Sequence, residues 1–197
     1  MKRIFPLIAI LLITGAVNAQ VRTNIEIIGG LIGKSVDGII PVELKKDNKV
    51  FICYSSPESY SFLKNMVIEK TGRSANVNTQ LSGSDYIFNY ALEEVKVKYG
   101  ECFTKSFFGR NYVEREVTVT GFAGFNAPEK SAGTIRFTQS EKDTVEYGGL
   151  KELANSAYPF TNPEIPSEPF FSSILEPVIA VGAAITTIYL LFTVRSK

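Results

Sequence analysis

Tyr86, Phe88, Tyr90 and Leu92 recur at every second position, and Val95, Val97 and Tyr99 continue the alternation on the opposite parity. A period of two belongs to a strand with one buried face, and the change of parity requires one inserted residue near Glu93 and Glu94. The segment therefore predicts a long strand carrying a β-bulge. Val113, Val117 and Val119 alternate with Glu114, Glu116 and Thr118, which predicts a second long strand over Tyr112–Phe122 with one wet face. Strands of this kind bury one face only, so a second layer must cover it.

The shorter elements follow from turn and cap chemistry. Asn24–Ile28 and Ile39–Leu44 read as short strands around a glycine-rich turn at Gly29, Gly30 and Gly33, and Lys49–Tyr54 reads as a central strand. Ser55 with Glu58, or Ser56 with Pro57, marks a helix start, and Phe62, Leu63, Met66 and Val67 share a face, so a helix is expected over 57–71. Thr134–Thr138 and Asp143–Tyr147 predict a third and a short fourth strand, and Leu150–Asn155 a short helix. The expected fold class is α+β: a small, mostly antiparallel sheet with one main helix packed on it, then a Pro-rich stalk and a C-terminal single transmembrane helix.

The two ends of the chain suggest a compartment. Lys2 and Arg3, the apolar run Ile4–Ile13 and the small residues of Val17-Asn18-Ala19 have the plan of a secretory signal peptide over 1–19, leaving a mature N-terminus at Gln20. No cysteine follows the apolar run to carry a lipid. Residues 20–157 then form one extracytoplasmic domain, a size that holds a single core. Pro159, Pro163, Pro166 and Pro169 predict an extended stalk over 158–173, with packing through Tyr158, Phe160 and Ile165 as the alternative. The apolar stretch 174–194, followed by Arg195 and Lys197, predicts a membrane span with 195–197 as cytoplasmic tail. These readings place the chain in a bacterial inner membrane with its domain on the periplasmic side.

Several motifs imitate chemistry without its context. Gly29-Gly30-Leu31-Ile32-Gly33-Lys34-Ser35 imitates a P-loop, but Ile28 stands where its first glycine belongs. Ser61-x-x-Lys64, Lys70-Thr71-Gly72 and Ser74-Ala75-Asn76 imitate penicillin-recognising motifs in the wrong order and crowded together. The chain contains no histidine, which removes the commonest general base and the ordinary zinc sites. No cofactor site is legible, and a formal net charge of +1 with no basic stripe gives no nucleic-acid surface. Three carboxylate pairs, Glu93 with Glu94, Glu114 with Glu116 and Glu141 with Asp143, supply the acids a hydrolase would need.

Three sets of residues remain as candidates. Phe103, Phe107, Phe108, Arg110 and Tyr112 lie on the loop joining the two long strands, and aromatic residues with arginine suit a protein-binding surface or a satellite core. Ala180, Gly182, Ala183, Ala184, Thr186 and Thr187 form small-x-x-x-small pairs that would let a second membrane helix approach. Cys53 and Cys102 would, if bonded, stabilise the chain by about 3 to 4.5 kcal/mol; the alternative is two buried thiols. The function expected from these features is a membrane-tethered, non-enzymatic binding or scaffold subunit of a cell-envelope complex. Its partners would be an envelope protein, the lipid bilayer and, through the membrane helix, a second copy of the chain. A carboxylate-dependent hydrolase and a ligand-binding or sensing domain are the alternatives.

Overall fold

The computed structural model describes residues 21–42, 44–105, 109–127, 133–168 and 170–194. The expected signal peptide and the tail 195–197 lie outside the described residues.

The chain enters through helix α1 (Asn24–Asp37). Thr23 caps it, accepting from the Glu26 amide, while the Glu26 carboxylate accepts from the Thr23 amide. This reciprocal capping box fixes the start of the helix, and Ile27, Ile28, Leu31, Ile32 and Val36 form its buried stripe. The expected strands at 24–28 and 39–44 are therefore corrected: the first is helix, and no strand forms over the described part of the second. Glycine lowers helix propensity, but Gly29 and Gly33 face the neighbouring helix, where Met66 and the stem of Lys70 would press within 3.2–3.4 Å of a Cβ added at either position. Close approach of two helices, rather than a turn, explains them. Gly30 has no such neighbour. Gly30→Ala is expected to raise stability by about 0.5–1 kcal/mol, read as a higher urea midpoint at unchanged slope. A lower midpoint would show that this face of α1 is covered.

Strand β1 (Lys49–Ser55) follows, then a 3-10 turn at Glu58–Leu63 that leads into helix α2 (Lys64–Gly72). The expected single helix is thus two segments, and no side chain caps the start at Pro57. Leu63, Val67 and Thr71, spaced by four, are buried against the sheet side. Strand β2 (Asn76–Asn78) returns parallel to β1.

The two longest strands, β3 (Tyr86–Thr104) and β4 (Asn111–Asn126), pair antiparallel as a hairpin. The expected bulge is present, as a register shift between Leu92 and Glu94, and it keeps Leu92 and Val95 on the same buried face. A second shift, between Tyr99 and Cys102, has no counterpart in the sequence pattern. Strand β5 (Ile135–Glu146) replaces the expected third and fourth strands with one continuous edge strand. The sheet order is β2-β1-β3-β4-β5, parallel across its first two pairings and antiparallel across the last two.

Helix α3 (Leu150–Leu153) covers the far end of the hairpin, where Val113, Val145, Leu150 and Leu153 make a small second core with Tyr99, Cys102 and Tyr147. The chain then doubles back instead of forming a stalk. Tyr158 stacks on Phe62 at 3.9 Å between ring centroids, and Phe160 meets Tyr60 edge-on at 5.1 Å. Thr161 is buried, and the Tyr147 hydroxyl donates to the Pro166 carbonyl at 2.9 Å. Aromatic burial outweighs the extended preference of the prolines, so 154–168 is a strap across the domain.

Helix α4 (Phe170–Val194) completes the described chain. The expectation of one main helix is corrected to four α-helices among the described residues. The expected membrane span is corrected as well, because among those residues no helix is long and apolar enough to cross a membrane. Glu176 and Pro177 interrupt the stretch, and the uncharged remainder after them, rising ~1.5 Å per residue, reaches about 25 Å against a hydrocarbon layer of ~30 Å. The single-pass inner-membrane placement with a cytoplasmic C-terminus therefore falls. So do contact with the bilayer through such a span and self-association through a transmembrane helix.

Candidate functional site

The hairpin end carries part of the expected partner surface. Tyr112 and Phe103 are register partners, out of phase with core residue Val113, so both turn to the sheet face opposite the helices. Their rings lie 6.4 Å apart, half-buried, and the Lys105 ammonium sits 4.7 Å above the Tyr112 ring. Arg110 is exposed and donates to Glu146 at 2.8 Å. The Asn111 amide donates to Glu168 at 2.6 Å, which ties the end of the strap to the hairpin. Phe107 and Phe108 lie outside the described residues.

Cys53 is exposed and Cys102 half-buried, and both are free. Cys53 sits opposite Asn89, and β3 runs on through both register shifts before reaching Cys102, so the thiols are far beyond the ~4.4–6.8 Å Cα separation of a disulfide. The two thiols are thus not placed for the bridge that the sequence left open, and the exposed Cys53 does not fit a buried thiol either. Burial, followed by the nearby Glu168 carboxylate, pushes the Cys102 thiol up, away from a reactive thiolate. On α4, Ala180, Gly182, Ala183, Ala184, Thr186 and Thr187 are exposed. The Thr186 and Thr187 hydroxyls donate to the carbonyls of Gly182 and Ala183 in their own helix, each at 2.8 Å. The P-loop-like glycines lie inside α1, where the backbone amides are already bonded within the helix.

The acids are arranged for structure. Glu93 pairs with Arg136 at 3.2 Å, Glu116 with Lys142 at 3.4 Å, and Glu94 with Lys96 at 3.9 Å, all on the open sheet face. Glu141 is held between Arg22 and Lys34; burial raises its pKa, and the two cations outweigh that and hold the carboxyl below its ordinary range. Glu26 is also lowered, first by the Thr23 amide. Both shifts run opposite to the upward shift that a general acid at neutral pH needs.

Sequence reasoning missed the centre of the polar network. Arg115 is fully buried at an inward position of β4, between Val113 and Val117. Its Nε and Nη2 donate to the two Asp143 oxygens at 2.8 and 2.6 Å, across a direct register pair. Its Nη1 donates to the Arg22 carbonyl at 2.8 Å and to Asn24 Oδ1 at 2.9 Å. The Asn24 amide then donates to the Tyr99 hydroxyl at 3.1 Å and to the Thr161 carbonyl at 2.8 Å. One guanidinium therefore joins the edge strand, the start of α1, the long hairpin and the strap. An arginine on the apolar parity of a strand was the available signal, because such a charge must find buried acceptors. Near the other end of α1, the buried Tyr90 hydroxyl donates to Ser35, which donates to the Ile32 carbonyl. Burial pushes the Tyr90 phenol up, so it stays a neutral donor.

No protein family matches the sequence, and no curated protein does. The chain has remote similarity to several solved structures. One is a rare lipoprotein B from Shewanella oneidensis, with 9% identity, a TM-score of 0.32 and coverage of 74% of this chain and 93% of that one. Another is a putative neuraminyllactose-binding hemagglutinin homolog from Helicobacter pylori, with 11% identity, a TM-score of 0.34 and coverage of 61% and 84%. A third is an uncharacterized lipoprotein B from Nitrosomonas europaea, with 16% identity, a TM-score of 0.28 and coverage of 78% and 94%.

Proposed function

We propose that the chain is a non-enzymatic extracytoplasmic binding domain, engaging a protein partner through the end of the β3–β4 hairpin. The observation that carries this reading is the half-exposed pair Phe103 and Tyr112 on the face opposite the core, flanked by Lys105 and the exposed Arg110. Rigid aromatics beside cations supply contact area and directed hydrogen bonds at low entropic cost. The signal-like leader supports export. The carboxylates favour binding over hydrolysis, since Glu93, Glu94 and Glu116 on the open face are paired with cations and the displaced pair, Glu26 and Glu141, are lowered.

The test replaces Phe103 and Arg110 by alanine and crosslinks the parent and variant chains in intact cells at matched expression. A stoichiometric crosslinked partner is expected with the parent and at least about tenfold less with the variant, whose unfolding midpoint should change little. Equal crosslinking in both chains would move the interface away from the hairpin. A turnover that disappears with Glu93→Gln or Glu116→Gln would replace the binding reading by the hydrolase one.

A further inference from the structure

A cavity of about 330 Å³ opens on the helix-bearing side of the domain, between the long hairpin, α3 and the strap. Leu150, Ala154, Pro163 and Ile165 line its apolar part, and Tyr99, Lys151, Ser156 and Asn162 line the remainder. No aspartate or glutamate lines it. From this arrangement we infer that the cavity is a binding site for a small aliphatic monocarboxylate.

The polarity of the site is set by the buried network behind it. A guanidinium only donates, so the Asn24 oxygen that meets Arg115 must accept, which turns the Asn24 amide nitrogen toward Tyr99. That nitrogen only donates, so the Tyr99 oxygen must accept from it. The phenol proton therefore has to leave in another direction, and among the described residues no acceptor takes it. Tyr99 thus lines the cavity with a phenol proton that no acceptor among the described residues takes. Lys151 adds an exposed ammonium that makes no ion pair among the described residues. A neutral donor and a cation, with no acid among the lining residues, match a singly charged acceptor head, and the apolar part matches an alkyl body. An inorganic phosphate would satisfy the donors and leave that part wet.

Titration of the full-length protein with hexanoate, followed by amide chemical shifts and by calorimetry, tests this. Shifts confined to the strap, α3 and the middle of β3 are expected, with hexanamide and inorganic phosphate each binding at least about tenfold more weakly. Lys151→Met, an exposed change that spares the fold, should weaken hexanoate about tenfold. Tyr99→Phe should do so as well, with hexanamide affinity changing less. Because the phenylalanine also deprives Asn24 of an acceptor, Lys151→Met decides the matter if Tyr99→Phe fails to fold. Hexanoate affinity unchanged by Lys151→Met would overturn the inference, as would equal binding of hexanamide or phosphate. Absence of any cavity shifts at millimolar hexanoate would also overturn it. The cavity lies on the face opposite Phe103 and Tyr112, so either site can fail without the other.

Discussion

Replacement of Arg115 by methionine is expected to destabilise the protein by about 3 kcal/mol, the lower end of the ~3–5 kcal/mol typical of breaking a buried ion pair. The lower end applies because Asp143, the carboxylate left behind, is 31% exposed and can recruit water. The Arg22 carbonyl and the Asn24 oxygen would also lose their donor. In a domain of this size the loss corresponds to a melting temperature lower by about 6–12 °C. Arg115→Lys should recover little, because one ammonium cannot reach a bidentate carboxylate and two further acceptors on a different element. Arg115→Met combined with Asp143→Leu should recover part of the loss, since matched apolar residues often replace a buried pair without penalty. Thermal and urea unfolding of the parent, the three variants and Asp143→Leu alone would measure the coupling. A shift below about 1 kcal/mol for Arg115→Met would show that the network is not a structural keystone.

A comparable loss is expected at Gly121, for a steric reason. Gly121 in β4 is paired with Leu92 beside the β-bulge, and the Ala91 carbonyl oxygen lies close over the glycine. A Cβ at position 121 would lie 2.3 Å from that oxygen and 2.8 Å from the Phe137 ring edge. The ring can rotate, but the carbonyl belongs to the sheet backbone and can move only with β3. Gly121→Ala should therefore cost about 3 kcal/mol or more, at or beyond the top of the usual range for overpacking. Gly100→Ala serves as the control, because its nearest neighbours would be in ordinary contact at 3.6 Å, and it should change stability by less than about 0.5 kcal/mol. If the two substitutions have equal effects, the close approach at the bulge is not what selects glycine.

The sequence determined those features whose cause is local and periodic. Two runs of alternating side chains specify β3 and β4, and the parity change after Leu92 specifies the bulge, because a strand has only two faces. The capping box at Thr23 and Glu26 was equally legible in principle, yet three glycines and an expected turn obscured it. Only the tertiary structure decided that this glycine-bearing segment is a helix, since the gain comes from burying its isoleucine and leucine stripe and from α2 lying close to Gly29 and Gly33. The strap was decided the same way: its prolines favour an extended chain, and the stacking of Tyr158 and Phe160 on the 3-10 turn folds it back. The Arg115 network has no local signature beyond a charge at an inward position. Its acceptors come from residues Arg22, Asn24 and Asp143, which are distant in sequence and meet only when the edge strand and α1 close over the same face of the sheet.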